Sequence, residues 1–247
     1  MSRPRSAVPP RGPGPLLGRL QPRALRGDCL TPETPRRPRP GGVYLVTSPK
    51  RPISKLLAMV EASIDGGASI VQFRDKGTYP EGERLEIARM LQALCERHEV
   101  PFLVNDDPEY ARRVDADGVH VGRKDPSPRI ARALLGPTAI IGVTVYGKNG
   151  EEEAAASNGA DYVAAGPFFP SPTKPEEPVL PLHVLDAIVK RSRLPVFAIG
   201  GITAENAGTV ARHGVAGVAV ISAIMNAPDP KAATEAIRKA FESGRGH

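Results

Sequence analysis

One repeated unit constrains the fold of this 247-residue chain more than any other feature of its sequence. A short apolar run, a polar loop and a segment with helical spacing follow one another eight times from Val43 onward. The runs are apolar throughout rather than alternating, as is typical of strands buried on both faces. They cover residues 43–47, 70–74, 102–105, 118–121, 140–144, 162–165, 196–199 and 217–221. Eight such units in the last 207 residues predict a single-domain α/β protein, a (β/α)8 TIM barrel.

The segments between the runs have amphipathic helical periodicity. Ile53, Leu56, Val60 and Ile64 follow the i, i+3, i+7 spacing of one helix face. Glycines before several of the runs are typical of helix ends, where the chain turns left-handed. A doubly wound open sheet is the alternative, but it usually has fewer units and a glycine-rich loop after the first strand. Residues 47–50 read Thr-Ser-Pro-Lys instead.

The first 40 residues differ in composition from the rest of the chain. They contain nine Arg, no Lys and ten Pro, and only two acids, so they carry a net charge of +7. Residues 41–247 contain 24 basic and 25 acidic side chains and carry −1. Proline at this density prevents a continuous helix, and no apolar core of a secretory signal is present in this segment. We expect a disordered tail over residues 1–40, with a solubilising or a docking role open, and a catalytic barrel over 41–247.

Hydrophobic residues make up 40% of the chain, in runs much shorter than the ~20 residues of a membrane span. Cys29 and Cys95 form neither a disulfide framework nor a zinc motif, which favours free thiols in a reducing compartment. We therefore expect a soluble cytoplasmic protein without a membrane partner. The sequence leaves a homo-oligomer open.

Polar side chains with the chemistry of anion and metal binding follow the predicted strands. In a barrel these strand ends share one face, where active sites are located. Gln72, Arg74 and Lys76 alternate after the second run and offer an amide and two cations to a polyanion. An isolated Arg-x-Lys would more often be a solvated rim.

Acidic side chains follow the third and fourth runs. Asn105-Asp106-Asp107 ends the third, and Asp125 comes after the fourth. Two carboxylates on neighbouring strand ends can hold Mg²⁺ and leave room for substrate phosphates. Asp107 before Pro108 also fits a helix N-cap, whereas Asp106 has no evident structural role.

Hydroxyl groups and glycines follow the later runs. Ser171, Thr173 and Lys174 lie in a proline-rich loop after the sixth run, and a Gly-Gly pair at 200–201 follows the seventh. Such loops bring donors and backbone N–H groups close to a phosphate. Two phosphate-handling regions predict two phosphorylated small-molecule substrates, one of them a diphosphate. Only 11 Phe and Tyr occur, none in a basic patch, which argues against a nucleic-acid partner.

These residues resemble the ordered motifs of the thiamine phosphate synthase family from residue 43 to about 242. The similar segments are Tyr-Leu-Val-Thr at 44–47, the 72/74/76 triplet, Asn-Asp at 105–106, Asp-Gly-Val-His-Val-Gly at 117–122 with Asp125, Gly-Pro at 166–167 through Thr-Lys at 173–174, Gly-Gly-Ile at 200–202 and Ile-Ser at 221–222. The resemblance implies an Mg²⁺-dependent transferase that joins hydroxymethylpyrimidine diphosphate to thiazole phosphate. It gives thiamine phosphate and pyrophosphate.

The resemblance also implies residue roles. The pyrimidine diphosphate would contact Gln72, Arg74, Lys76 and Asn105, and Asp106 and Asp125 would bind Mg²⁺. Ser171, Thr173 and Lys174 would bridge the two substrates, while Gly201, Ile221 and Ser222 would hold the thiazole phosphate. Arg74, Lys76 and Lys174 are the expected catalytic residues, because they would stabilise the departing pyrophosphate.

Three positions depart from the family pattern. Ser48 stands where Asp is common, Arg123 where Gln is usual, and Tyr146 where many relatives have His. Thr144 keeps a hydroxyl, which we expect to bind substrate. Tyr146 counts against the related thiazole tautomerases, which depend on that His. We expect His120 to be a packed structural residue. The tautomerase and a non-catalytic barrel that binds phosphate ligands are the alternative functions.

Overall fold

The computed structural model describes residues 40–49, 51–173 and 175–246. The predicted disorder of the tail falls, except for Pro40, outside the described residues, and so do Cys29 and Lys174.

Eight parallel strands close into a barrel in sequence order, with β1 paired to both β2 and β8. This closure confirms the predicted (β/α)8 TIM barrel and excludes the open sheet. The strands are β1 Gly42–Val46, β2 Ala68–Phe73, β3 Phe102–Asn105, β4 Gly118–Val121, β5 Ile140–Val145, β6 Tyr162–Ala165, β7 Val196–Ile199 and β8 Gly217–Val220.

Helices connect these strands on the outside of the barrel. They are α1 Ile53–Asp65, α2 Glu81–Arg97, α3 Pro108–Arg113, α4 Pro128–Leu135, α5 Glu151–Ser157, α6 Leu182–Arg191, α7 Ala204–Ala211, α8 Ser222–Met225 and α9 Pro230–Arg245. α8 is a single-turn helix directly after β8, a common position for phosphate binding in such barrels. In the described part of the chain, no helix has the length and apolar character needed to cross a membrane.

Predicted strand boundaries differ from the observed ones by one or two residues. Thr47 and Arg74 were placed inside strands but lie just past β1 and β2. The Arg74 N–H donates to Thr47 Oγ1 at 2.9 Å rather than to a backbone carbonyl. The main-chain ladder therefore ends at Phe73, and a side chain continues it for one more residue.

Two helices begin at an aspartate whose side chain caps the first turn. Asp229 caps α9 by accepting from the Ala232 N–H at 3.0 Å, with Pro230 as the first helical residue. Asp107 caps α3 in the same way, at 2.9 Å from the Tyr110 nitrogen. Asp107 is therefore a helix cap, the alternative to a metal ligand. Asp106 remains as the carboxylate of this pair that can serve the site.

The apolar core has an outer and an inner part. The outer part lies between strands and helices and contains Leu56 and Val60 of the predicted α1 stripe. The inner part fills the barrel with a cluster that includes Tyr44, Tyr162 and Phe197. The Phe197 ring meets the two Tyr rings edge to face, with centroids 5.5 and 5.3 Å away. The barrel is therefore a packed core closed below the site, not a pore.

Candidate active site

A cavity of about 730 Å³ opens at the carboxyl ends of the strands. It is lined by every described residue of the predicted site: Gln72, Arg74, Lys76, Asn105, Asp106, Asp125, Thr144, Ser171, Thr173, Gly201, Ile221 and Ser222. These twelve residues come from seven different strand ends, so only closure of the barrel brings them together. Lys174 is the one predicted site residue outside the described part of the chain.

The loop after β2 is organised by Asp75, a buried carboxylate that sequence reasoning missed. Its Oδ1 accepts from the backbone N–H groups of Thr78 and Tyr79 at 3.0 and 3.1 Å, and its Oδ2 accepts from Gly77 at 3.0 Å. This ring of hydrogen bonds folds the chain back on itself directly after Lys76, which has a left-handed backbone with φ of 57°. Asp75 therefore fixes the turn after Lys76, whose side chain lines the cavity while 46% of it stays exposed.

Lys76 and two carboxylates form the charged centre of the cavity. The Lys76 ammonium lies 2.5 Å from Asp106 Oδ2, and Asp125 Oδ2 accepts from the Gly122 N–H at 2.7 Å. Burial raises the pKa of Asp125 despite the Gly122 hydrogen bond, and the neighbouring Asp106 carboxylate raises it further. The two carboxylates are therefore close enough to repel each other.

This pair suits a hard divalent cation. A cation between Asp106 and Asp125 would remove their mutual repulsion, and both groups supply the oxygen ligands that Mg²⁺ prefers. Among the described residues, no group of three or more His, Cys, Asp or Glu could enclose a metal ion. Two carboxylates alone leave most of the coordination shell for water and substrate oxygens, which is the usual arrangement for Mg²⁺ with phosphate ligands.

Arg74 supplies a partly desolvated cation beside this centre. Burial lowers its pKa, and the Asp106 carboxylate opposes that shift. A guanidinium remains charged after such a shift. Because less water competes for it, its attraction for an anion in the cavity is stronger than that of a fully exposed Arg.

A buried chain of hydrogen bonds runs under the cavity floor. Gln72 Nε2 donates to the Tyr44 hydroxyl at 2.6 Å, which lies 2.8 Å from the Tyr162 hydroxyl. The Tyr162 hydroxyl lies 3.0 Å from His120 Nδ1, and His120 Nε2 lies 2.9 Å from Thr144 Oγ1. The chain therefore connects two predicted substrate-binding residues, Gln72 and Thr144, through three groups that were not predicted to bind substrate.

The donor and acceptor roles along these hydrogen bonds follow one consistent order. Because Gln72 Nε2 can only donate, the Tyr44 hydroxyl donates to Tyr162, and Tyr162 donates to His120 Nδ1. His120 then carries its proton on Nε2 and donates to Thr144, whose own hydrogen remains for the cavity. Burial raises the pKa of both tyrosines, so they stay protonated as this ordering requires.

His120 is buried as expected, yet it also lines the cavity and orients Thr144. Sequence reasoning passed over Tyr44 and Tyr162 as well. The alternation of side chains along a strand could have identified them, because every second residue faces the barrel interior. The interior-facing positions include residues 44, 72, 120, 144 and 162. The sequence contains no signal that these five would touch.

The loops after β6 and β7 pack tightly against each other. Gly201 has φ of 63°, and a Cβ there would lie 2.4 Å from the Pro170 carbonyl oxygen. The Phe169 N–H donates to the Gly200 carbonyl at 3.1 Å. Glycine is therefore required here both for its conformation and for its size, and this packing places Ser171 and Thr173 beside Gly201 and Ser222 at the cavity.

The three departures from the family pattern differ in position. Arg123 and Tyr146 both line the cavity, and the Arg123 guanidinium lies over the Tyr146 ring, 4.2 Å from its centroid. Ser48 is not among the lining residues, and its buried Oγ has no hydrogen-bond partner in the described part of the chain. The structure gives no reason for serine at position 48.

The family suggested by the motifs agrees with comparisons against known proteins. The family model described as "Thiamine monophosphate synthase" matches residues 43–224. The chain is 44% identical over 202 residues to the thiamine-phosphate synthase of Thiobacillus denitrificans, which spans 82% of this chain and 95% of that relative. It is 42% identical over 201 residues to the thiamine-phosphate synthase of Thermoplasma acidophilum, or 81% of this chain and 92% of that one.

A solved structure agrees with these relatives. The thiamine phosphate pyrophosphorylase of Pyrococcus furiosus superposes with a TM-score of 0.73 at 38% identity, over 82% of this chain and 96% of its own. The matched region coincides with the barrel and its cavity, and the family model begins at the second residue of β1. The chain therefore belongs to the thiamine monophosphate synthase family.

Proposed function

We propose that the protein is a thiamine phosphate synthase, a transferase that acts on two phosphorylated small molecules. It joins hydroxymethylpyrimidine diphosphate to thiazole phosphate and releases thiamine phosphate and pyrophosphate. The observation that supports this best is that all twelve described residues of the expected site line one cavity, in a chain that belongs to the family. A biosynthetic enzyme of this kind is expected to act in the cytoplasm.

The reaction breaks one C–O bond and forms one C–N bond. Pyrophosphate leaves with the bonding electrons, and the resulting cation is stabilised by the pyrimidine ring until the thiazole nitrogen attacks it. Arg74 and Lys76 stabilise the negative charge that accumulates on the departing oxygens. Lys174 is proposed for the same role from its position in the sequence alone.

Neutral groups help to position the pyrimidine diphosphate. Gln72 and Asn105 contact the diphosphate substrate, and the Thr144 hydroxyl donates into the cavity because His120 occupies its acceptor side. The hydrogen-bond chain is buried from Gln72 to His120 and reaches the cavity at Thr144, so these groups keep their orientation while the substrate binds. Preorganised donors of this kind need little rearrangement in the transition state.

Asp106 and Asp125 are the residues that would hold Mg²⁺. The metal would supply a positive charge that neutralises the diphosphate and assists its departure. On the other side of the cavity, Gly201, Ile221 and Ser222 hold the thiazole phosphate, with backbone N–H groups and a hydroxyl as donors. Ser171 and Thr173 bridge the two substrates.

The direct test incubates the protein with both phosphorylated substrates and measures thiamine phosphate and pyrophosphate. We expect the two products in equal amounts when Mg²⁺ is present, and neither with a chelator in excess. Pyrophosphate without thiamine phosphate would contradict the proposal, and so would binding of both substrates without turnover, as in a non-catalytic barrel. Tautomerase activity that a chelator leaves unchanged would support the alternative enzyme.

Single substitutions test the assigned cations. Arg74→Ala or Lys174→Ala should lower kcat by about 100-fold or more, because both act on charge that develops in the transition state. Arg97→Ala is the matched control, since Arg97 is exposed in the last turn of α2 and does not line the cavity. Normal turnover by Arg74→Ala with an unchanged thermal melt would exclude its assigned role.

A further inference from the structure

Arg123 and Tyr146, two of the residues that depart from the family pattern, form a contact pair at the cavity. They follow β4 and β5, which are neighbouring strands of the barrel. The Arg123 Cζ atom lies 4.2 Å from the Tyr146 ring centroid, a distance at which a guanidinium is attracted to the ring face. Both side chains line the cavity that contains Asp106 and Asp125.

Glu151 holds both members of this pair. Its Oε2 accepts from the backbone N–H of Tyr146 at 2.7 Å and from that of Lys148 at 3.1 Å. Its Oε1 lies 3.6 Å from Arg123 Nη2, and its side chain is 23% exposed against 56% for Arg123. The better-buried Glu151 carboxylate, held by two backbone N–H groups of the loop before α5, therefore restrains the more exposed Arg123 guanidinium.

The restraint leaves donors of Arg123 available. Within the described part of the chain, its contacts are the ring face of Tyr146 and the ion pair through Nη2. A guanidinium has five N–H donors in its plane, and stacking occupies the face instead of the edge. Nε and Nη1 therefore remain free to bind an anion in the cavity.

Arg123 is close in sequence to Asp125, one of the two carboxylates that would bind the metal. Arg123 lies between Gly122, whose N–H binds Asp125, and Asp125 itself. Burial raises the pKa of Tyr146, the carboxylates of Glu177, Glu151 and Asp125 raise it further, and Arg123 opposes that shift. Arg74 and Lys76 follow β2, whereas Arg123 follows β4, with β3 and Asp106 between them.

We propose that Arg123 is an additional contact for the diphosphate of the substrate, and that Tyr146 and Glu151 are the residues that position it. The proposal rests on the function proposed above and adds a cation after β4, two strands from Arg74 and Lys76. An exposed ion pair alone would be worth little, but a guanidinium fixed in place by a ring and a carboxylate loses less freedom when it binds an anion.

Binding of inorganic pyrophosphate in the presence of Mg²⁺, measured by titration calorimetry, tests this without requiring turnover. Arg123→Met should raise the Kd about tenfold, the size of one lost charge-assisted hydrogen bond. Tyr146→Leu should raise it about threefold, because the guanidinium loses its stacking surface. Tyr146→Phe keeps the ring and should bind pyrophosphate as the unchanged protein does.

Arg129→Met is the control for net charge. Arg129 is exposed on α4 and does not line the cavity, so its replacement changes the charge of the protein by the same amount as Arg123→Met. Equal Kd values for these two variants would overturn the proposal. A Kd for Tyr146→Leu equal to that of Tyr146→Phe would overturn the positioning role of the ring.

Steady-state kinetics separate this proposal from the proposed function. Arg123→Met should raise KM for the pyrimidine diphosphate more than KM for the thiazole phosphate. If the unchanged protein binds pyrophosphate but makes no thiamine phosphate, the proposed function fails while the role of Arg123 in diphosphate binding stands. If it makes thiamine phosphate and Arg123→Met leaves both KM values unchanged, only the proposal for Arg123 fails.

Discussion

At the scale of single residues, the site depends on glycines that make room as much as on the groups that react. Gly142 on β5 faces the barrel interior, where a Cβ would lie 2.0 Å from Tyr162 Cζ and 2.5 Å from His120 Nδ1. The hydrogen-bond chain from Gln72 to Thr144 therefore passes through space that only glycine leaves open at position 142.

Gly142→Ala should destabilise the protein by about 1–3 kcal/mol, the usual cost of overpacking a core. It should also lower kcat, because the added methyl group displaces His120 from Thr144. Urea unfolding and steady-state rates measure the two effects. Gly82→Ala is the control, since a Cβ at this α2 position meets no atom of the described chain within 4 Å and alanine favours a helix. A Gly142→Ala protein as stable as Gly82→Ala would contradict this packing.

Cys95 provides a prediction for the pH dependence of stability. Burial, with a smaller contribution from Asp117, raises the pKa of its thiol to about 12, against about 8.5 in an unfolded chain. Between these values the unfolded state has lost the proton while the folded state keeps it. The free energy of unfolding should therefore fall with rising pH in this window, by up to about 1.4 kcal/mol per unit from this group.

The comparison of slopes isolates the thiol. Cys95→Ala should be less stable than the unchanged protein at pH 7 because it leaves a cavity, but its stability should fall less steeply between pH 9 and 11. Tyrosines titrate in both proteins and cancel in the difference. Parallel pH profiles would show that Cys95 titrates alike in the folded and unfolded states.

At the scale of elements, helix ends connect local sequence to the closure of the barrel. α9 packs against α1 and α7, so the last helix of the chain covers the junction between the first and last units. Its start is set by Asp229, whose carboxylate accepts from the Ala232 N–H at 3.0 Å. A local cap therefore supports a contact between distant parts of the chain.

Asp229→Ala should lower the free energy of unfolding by about 1 kcal/mol, the typical contribution of an N-cap. Asp229→Asn should retain most of that stability, because its side-chain oxygen accepts the same hydrogen bond. Chemical denaturation of the three proteins measures the effect, and kcat should not change because Asp229 does not line the cavity. If both variants lose the same stability, the carboxylate contributes through its charge rather than through the cap.

At the scale of the whole molecule, charge and function are located in different parts of the sequence. The first 40 residues carry +7, whereas residues 41–247 carry −1 and include every proposed site residue. The match to the family model begins at residue 43. Binding of two phosphorylated substrates is therefore assigned to a few positioned cations and not to the net charge of the chain.

A chain that begins at Pro40 should retain kcat and both KM values, and its melting temperature should stay within about 2 °C. The expectation follows from composition, since an Arg- and Pro-rich segment has little apolar surface to bury. Thermal melts and steady-state kinetics of the shortened and full chains measure it. A fall in kcat/KM for the shortened chain would assign residues 1–39 a part in substrate binding, and a lower melting temperature would assign them a part in the fold.

The sequence by itself predicted the barrel, its eight strands within two residues, the helix cap that Asp107 offers and, with the family resemblance, twelve of the residues that line the cavity. Each of these depends on short-range information. Apolar runs predict strands, and an Asp three residues before a backbone N–H predicts a helix cap. The first residues after a strand are expected at the active face of a barrel.

Only the tertiary structure decided which of these groups touch. The hydrogen bonds under the cavity floor join residues from five strands: Gln72, Tyr44, Tyr162, His120 and Thr144. These residues meet because the barrel closes with a particular stagger between strands, which no local sequence pattern encodes. Arg123 and Tyr146 looked like unrelated departures from a family pattern, yet the pairing of β4 with β5 brings them into contact. Side-chain identity is local, but side-chain neighbours depend on the whole fold.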